Sequence, residues 1–351
     1  MAVATRRVEH GIAGQRRQEM LAGYAFITPA LIILALFLVI PIIFTVWMSF
    51  RDWSGLTVPT DSTFTGWKNF TDRLPRDTTR RTDFFVAFRN TTYFAIGVVP
   101  TQTLLALFLA AIANQRLLRL KGFFRTSFYF PSITSSVAIS LIFFWIYQTG
   151  GPLNLVLKTI VPGYSSISWM NDPNGLIHNL LGIFGLNART APGWLTQPDI
   201  LGLSPWQWIS GPSVTMAAIM ILNIWTTAGT MMLIFLAGMQ DIPTPVYEAA
   251  AVDGATAWKT FWQITVPLLA PTIFFVVTLG LIGTYQVFDQ VWVMTSGGPA
   301  GTTTSLAYLI YRDGFQDSRM GLASATSVLL FIIIFIVTLL QRRIVRESAD
   351  V

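Results

Sequence analysis

Six long intervals of this 351-residue sequence contain no Asp, Glu, Lys or Arg: residues 20–50, 90–115, 126–157, 213–239, 260–288 and 320–341. A helix needs about 20 mostly apolar residues to cross a hydrocarbon core, so each interval holds one crossing. The charged fraction, 11%, is far below the roughly 25% of soluble domains, which excludes a water-soluble fold. Twelve Trp and 26 Phe suit lipid-facing and interfacial positions, where aromatic rings are well accommodated. No Cys is present, and the two His, His10 and His178, are far apart. A disulfide framework or thiolate metal site is thereby excluded, and each His is read as structural. The net charge of +6 does not indicate nucleic acid, because the basic residues flank apolar runs.

The sequence predicts an all-α membrane protein whose permease domain covers 21–345, with spans near 22–50, 86–114, 123–148, 213–239, 268–294 and 321–341. Residues 1–20 and 346–351 are read as tails. The first apolar run is about twice the 7–15 residues of a signal core and lacks a small-residue cleavage pattern, so it reads as a retained span. Pro41, Pro100, Pro131, Gly229, Gly280 and Gly283 lie within spans and predict kinks or close helix packing, which favours a transport bundle over an anchor. Arg6, Arg7, Arg16 and Arg17 precede span one. Arg116, Arg119, Lys121 and Arg125 crowd the turn between spans two and three, and Arg342, Arg343 and Arg346 follow span six. Six spans put all three groups on one side, so both termini are expected to be cytoplasmic. The first outer loop, 51–85, carries Arg51, Lys68, Arg73, Arg76, Arg80 and Arg81, nearly balanced by Asp52, Asp61, Asp72, Asp77 and Asp83.

The cytoplasmic loop 240–267, between spans four and five, is too ordered in composition to be a mere connector. Thr244 is expected to cap a helix, with Pro245 at its first position, Glu248 in its first turn and Gly254 at its stop. Ala249, Ala250 and Ala251 give a small-residue face that a partner surface can approach closely, while Glu248 and Asp253 offer acceptors to basic groups. An amphipathic helix lying on the bilayer would instead show a larger apolar face with Lys and Arg beside it, and only Lys259 is basic here.

Glu248-Ala249-Ala250, then Gly254, then Ile264-x-Val266-Pro267, resembles the EAA motif of binding-protein-dependent ABC importer permeases, with Val266 where Leu is usual. Elsewhere, Thr28-Pro29-Ala30 with Pro41 and Ser49-Phe50, Gly66-Trp67-Lys68-Asn69-Phe70, Gly122-Phe123-Phe124-Arg125-Thr126 with Phe130-Pro131, and 288–299 from Phe288-Asp289 to Gly298-Pro299 are similar to the MalF/UgpA-like sugar permeases. The resemblance covers residues 24–343. It implies a type I ABC importer permease fold with a cytoplasmic coupling helix. It further implies heterodimerisation with a second permease subunit, two cytoplasmic ATP-binding subunits and an extracytoplasmic solute-binding protein, in the plasma (inner) membrane of a prokaryote. The ATPase-coupling residues would be Tyr247, Glu248, Ala249, Ala250, Asp253, Gly254, Ile264 and Pro267. The chain contains no Gly-x-x-x-x-Gly-Lys-Ser/Thr loop. It is therefore expected to bind no cofactor and to perform no catalysis, with ATP and Mg handled by partner subunits.

Sugars require hydroxyl-matching groups beside a flat apolar surface. Asn223, Thr226, Thr227 and Thr230 cluster at helical spacing in span four. Gly280, Gly283, Thr284 and Val287 form an i, i+3, i+4, i+7 stripe in span five. The resemblance places both sets on the helix faces that line the sugar site in maltose-type permeases. Ser, Thr and Gly also pack membrane helices together, so each residue is equally a candidate for interface packing. Asp289 reads as structural, and Ser132, Thr134, Ser135 and Ser136 can solvate a kink at Pro131. The outer segment 149–212, between spans three and four, is long for a loop. Trp169, Trp194, Trp206 and Trp208 mark it as ordered, 176–186 reads as a short interfacial helix, and the segment is expected to contact the binding protein or to pack over the permease.

The expected cargo is a carbohydrate, an oligosaccharide or disaccharide, moved by alternating access; glycerol phosphate or another polyol is the alternative. A secondary transporter is disfavoured by the scarcity of ionisable residues inside the spans. A membrane enzyme is disfavoured by the lack of converging carboxylate, His or nucleophile groups.

Overall fold

A computed structural model describes residues 2–73, 79–115, 120–197 and 200–349. Arg76, Asp77, Arg116 and Arg119 lie outside the described residues. Among the described residues the architecture is helical, with one two-stranded antiparallel ribbon pairing Arg51–Asp52 with Thr63–Phe64. Five helices are long and apolar enough to cross a bilayer: Glu19–Met48, Asp83–Asn114, Val214–Gln240, Ala270–Met294 and Met320–Arg343. The pair Lys121–Ile133 and Ser136–Ile146 supplies a sixth crossing. In chain order these are spans one, two, four, five and six, with the broken pair as span three.

Span three is the main departure from a simple bundle. Its halves are bent by 94°, with Thr134 in extended backbone and Ser135 as the N-cap of the second half between them. Pro131 removes one helical donor, and serine and threonine side chains compete for backbone groups, so the helix stops within a few residues. Span five is also interrupted, ending its first helix at Tyr285 and resuming as Asp289–Met294. Span one is continuous with a helix that begins at Ala2, so the segment before the first crossing is helical.

Spans two and four form the centre. Towards the cytoplasm, Ala106, Leu107 and Ala110 of span two pack with Met232, Phe235 and Met239 of span four and with Leu269 and Val276. Towards the outside, Phe94 and Val98 pack with Met216, Ile219 and Leu222, joined by Met170 of the outer loop and Val291. Span four approaches span three closely at Gly229, where a Cβ would lie 2.2 Å from the Phe128 carbonyl and 2.8 Å from Ser132 Oγ. Only glycine lets these backbones meet.

The first outer loop is not a freely solvated, charge-balanced segment. Arg73 is almost fully buried and pairs with Asp313, just before span six, while its Nε donates to Thr326 Oγ at 3.1 Å. Asp83 pairs with Arg312 at 2.5 Å. Asn69 donates to the carbonyls of Ser49 and Arg51, and the Gly321 amide donates to the Trp53 carbonyl. Two of the charges thus close contacts about 240 positions apart rather than neutralising neighbours.

The outer segment between spans three and four is ordered, with helices Pro152–Ile160, Leu176–Ile183, Gly193–Thr196 and Pro205–Trp208. Buried Asn154 organises its first half: its amide donates to Gln148, Thr149 and Ile167 carbonyls, and its Oδ accepts from Tyr164, Trp169 and the Ile167 amide. The second half is clamped to span two. Arg89 donates to the Gln207 carbonyl and the Tyr93 hydroxyl donates to that of Trp208. His178 stacks on Trp206, ring centres 4.3 Å apart, in keeping with a structural histidine.

Removing one member of a buried ion pair leaves the other desolvated and uncompensated. Asp313→Leu should therefore cost about 3 kcal/mol of stability, read as an earlier thermal unfolding transition of the purified protein in detergent. The double change Arg73→Met with Asp313→Leu should recover most of that loss. A single variant as stable as the parent would show that the pair carries no weight.

Candidate functional site

Two regions collect the residues singled out by sequence. On the cytoplasmic side, the coupling helix spans Thr244–Val252. Its start differs from expectation. Pro243, in extended backbone, is the N-cap, and Thr244 is already helical with no capping side-chain bond. A residue inside the first turn cannot fold its own oxygen back over the helix end, and Glu248 consequently falls in the second turn. The end follows the sequence closely. Gly254 has φ of +74°; its amide donates to the Ala251 carbonyl at 3.1 Å and the Ala255 amide to that of Ala250 at 2.9 Å. These two bonds are the Schellman arrangement, and the left-handed residue they need is most cheaply a glycine. Thr256 then caps the next helix through the Lys259 amide.

This helix has a held face and a free face. Ala250 is buried, and the Tyr247 hydroxyl bonds that of Thr265 at 3.3 Å, fastening the helix to the segment that leads into span five. Ile264 is half-buried and Pro267 exposed. Glu248, Ala249, Val252, Asp253 and Gly254 are exposed, and Val252 is 88% exposed. An apolar side chain this free, flanked by two carboxylates, is the composition of a contact surface. A cleft of about 560 Å³ separates Thr244, Tyr247 and Glu248 from Lys121 and Arg125 of span three.

Deeper in the bundle, the break in span three faces span four across a cavity of about 260 Å³. Ser132, Thr134 and Ser136 line one side, Thr226, Thr227 and Thr230 the other, and Gln290 from the outer end of span five completes it. Its polar lining is uncharged: hydroxyls and one carboxamide. Asn223 is buried, and its carbonyl accepts from Thr226 and Thr227 at 3.0 and 2.7 Å. Ser132 does more than solvate a kink: its hydroxyl donates to the Thr226 carbonyl at 2.6 Å and accepts from the Thr230 amide at 3.2 Å. It fastens the break onto span four.

The span-five stripe does not line this cavity. Gly280 packs on span two, where a Cβ would meet Gln102 Nε2 at 2.4 Å. Thr284 is buried and bonds its own helix at the Gly280 carbonyl. Val287 lies in the outer core, and Gly283 is exposed. Asp289 is exposed at the start of the helix Asp289–Met294, and its neighbour Gln290 is the one that reaches the cavity. Gln102 escaped the sequence reading. The available signal was a long polar side chain midway along an otherwise apolar span.

No group of three or more His, Asp or Glu that could hold a metal ion occurs among the described residues.

Residues 102–348 match the family described as binding-protein-dependent transport system inner membrane component. The chain is 30% identical over 335 residues to the trehalose/maltose transport system permease protein MalF of Thermococcus litoralis, covering 95% of this chain and 96% of that one. It is 30% identical over 328 residues to the lactose transport system permease protein LacF of Rhizobium radiobacter, covering 93% and 94%. A crystal structure of a bacterial ABC transporter involved in import of the acidic polysaccharide alginate superposes with a TM-score of 0.65 at 22% identity, over 95% of this chain and 96% of that chain, which establishes the shared fold. Helical architecture, coupling helix and a family match over well more than half the length agree: the chain belongs to the binding-protein-dependent inner membrane components, the permease subunits of ABC importers.

Proposed function

We propose that this permease translocates a carbohydrate, delivered by an extracytoplasmic solute-binding protein, by alternating access driven by two partner ATP-binding subunits. The observation that carries the reading is the coupling helix. Its free face offers Glu248, Val252 and Asp253, while Tyr247 ties its held face to Thr265 in the segment leading into span five, and span four ends at Gln240, four residues before the helix begins. A push on that face is delivered to both spans, and the loop begins at Gln240, about ten residues or roughly 15 Å along the helix from Thr230 of the cavity. Nucleotide and Mg belong to the partners in this reading, and the chain itself binds no cofactor.

The cargo follows from the cavity and from the relatives. Clustered hydroxyls with no charge among them match a polyhydroxyl solute, and the family members above are named for trehalose, maltose and lactose. At about 260 Å³ the cavity is near the lower end of small-molecule sites, and in this reading a second permease subunit adds a further wall. Span one supports that partner. Only 6% of its apolar window is buried, against 28–56% for the other four crossings outside the bent pair, and residues 24–40 are exposed along their whole length. The setting is the plasma membrane of a prokaryote, both termini cytoplasmic, with the outer segment 149–212 facing the binding protein.

Two expected outcomes test this. Glu248→Lys and Gly254→Asp, the second placing a side chain in left-handed backbone, should each abolish ATP-dependent uptake by the assembled importer, at least ~10-fold in rate, while membrane levels of the permease hold. Normal uptake in both variants would remove the coupling role. Separately, deleting 173–203 should weaken docking of the binding protein in a pull-down on proteoliposomes; unchanged docking would remove the outer segment from that contact.

A further inference from the structure

The hydroxyl-lined cavity meets half of what a sugar needs. No aromatic ring lines it among the described residues, so it offers hydrogen bonds without the flat apolar surface that a sugar ring rests on. Such a surface lies next to it. Gln290, which completes the cavity, belongs to the helix Asp289–Met294. Asp289 and Trp292, three residues apart, are neighbours on one face of that helix. Both are exposed, Trp292 by 40%. The indole is held in place: it lies nearly parallel to Phe288, with ring centres 5.9 Å apart and planes 8° apart, and meets Tyr311 edge-on at 5.8 Å.

Asp289 is the only charged residue between Lys259 and Arg312. Among the described residues its side chain forms neither an ion pair nor a hydrogen bond, so the structural role read from sequence has no partner to support it. Its depth makes that lack informative. Gln290 lines the cavity together with Thr227, the middle residue of the span-four helix Val214–Gln240, and Val291 packs with Phe94, Ile219 and Leu222. An exposed carboxylate at this level cannot face hydrocarbon, which offers nothing to solvate it; a group of this kind faces a water-filled path or a partner.

We propose that Asp289 and Trp292 form a second solute subsite, continuous with the cavity through Gln290: a sugar ring rests on the exposed indole while the Asp289 carboxylate accepts hydrogen bonds from its hydroxyls. The two carboxylate oxygens offer about four acceptor positions, enough for adjacent hydroxyls of one ring. The same charge repels an anionic solute. The subsite therefore selects an uncharged carbohydrate over a phosphorylated polyol such as glycerol phosphate.

The subsite deepens the carbohydrate reading above and rests on it, and two measurements keep the two apart. The chain contains no Cys, so Asp289→Cys gives it a single thiol. The importer, assembled with its ATPase subunits and binding protein, is placed in nanodiscs and treated with a charged, membrane-impermeant methanethiosulfonate, and modification of this chain is read by mass. Asp289→Cys should react, as should Asn187→Cys in the exposed outer segment. No reaction at residue 289 while residue 187 reacts would show that lipid or the second permease covers this face, and would overturn the subsite. In proteoliposomes, uptake of maltose, trehalose and lactose is compared with ATP hydrolysis stimulated by the binding protein. Asp289→Asn and Trp292→Leu should each lower sugar uptake ~10-fold while hydrolysis holds. Trp292→Phe, which keeps a flat ring, should retain uptake. Uptake and hydrolysis falling together, as packing damage would have it, or unchanged uptake in Asp289→Asn, would overturn the subsite, as would a parent that moves glycerol phosphate as fast as the sugars. A parent that hydrolyses ATP yet moves none of the three sugars would overturn the carbohydrate reading, and the subsite with it, whatever the thiol reaction shows.

Discussion

A helix broken inside a bilayer must find partners for every backbone group it frees, and the break in span three is where the rest of this permease is decided. The freed groups are met locally and by span four: Thr134 donates to the Phe130 carbonyl, Ser140 to that of Ser136, and Ser132 both donates to and accepts from the span-four backbone. That solution demands backbone contact between spans three and four, which Gly229 permits. It also leaves a cavity, because two half-helices bent by 94° cannot cover the length of span four that one straight helix would. The polar lining is thus a by-product of solving the break: the hydroxyls that satisfy backbone also face the gap.

Span four transmits. It runs without interruption from its Ser213 cap, which accepts the Met216 amide, to Gln240 at the coupling loop, so one continuous helix joins Thr226, Thr227 and Thr230 of the cavity to the start of that loop. Around its cytoplasmic half, Phe235, Met232 and Met239 interlock with Leu107, Leu269 and Val276. A close-packed interior of this kind carries displacement rather than absorbing it. The outer half is anchored differently: Thr215 bonds Asp172, and the Asn90 amide of span two reaches the carbonyls of Gly301 and Thr304 after span five. The outer segments therefore form a cap stitched by polar bonds over a bundle packed by apolar contact.

Much of this was legible in sequence, for identifiable reasons. Crossings show because a bilayer enforces a charge-free length on each. Gly254 shows because a left-handed turn after an alanine helix leaves few other choices. What failed to show were relations across the chain. Pro131 announces a break but not its angle, which depends on how span four receives it. Thr244 looked like a cap because threonine is a good one, yet Pro243 already held the extended backbone that the position needs. Arg73 looked like one charge among a balanced set, and its partner Asp313 lies 240 positions away, beyond any local pattern. The span-five stripe had the right period for a lining face, yet Gly280 meets span two, Val287 joins the outer core and Gly283 is exposed, since periodicity identifies which residues share a face but not what that face meets.

Glycine placement sorts these contacts by how much they can give. At Gly229 the obstacle is the Phe128 carbonyl, a backbone atom that cannot step aside without moving span three. At Gly280 the obstacle is the end of the Gln102 side chain, a group with three rotatable bonds that can move as a unit. The junction of spans three and four is therefore backbone against backbone, and that of spans two and five is backbone against the end of a side chain. In this chain the two seams meet at Thr227, which lines the cavity, and whose hydroxyl lies 2.6 Å from the Gln102 carboxamide and donates to the Asn223 carbonyl at 2.7 Å.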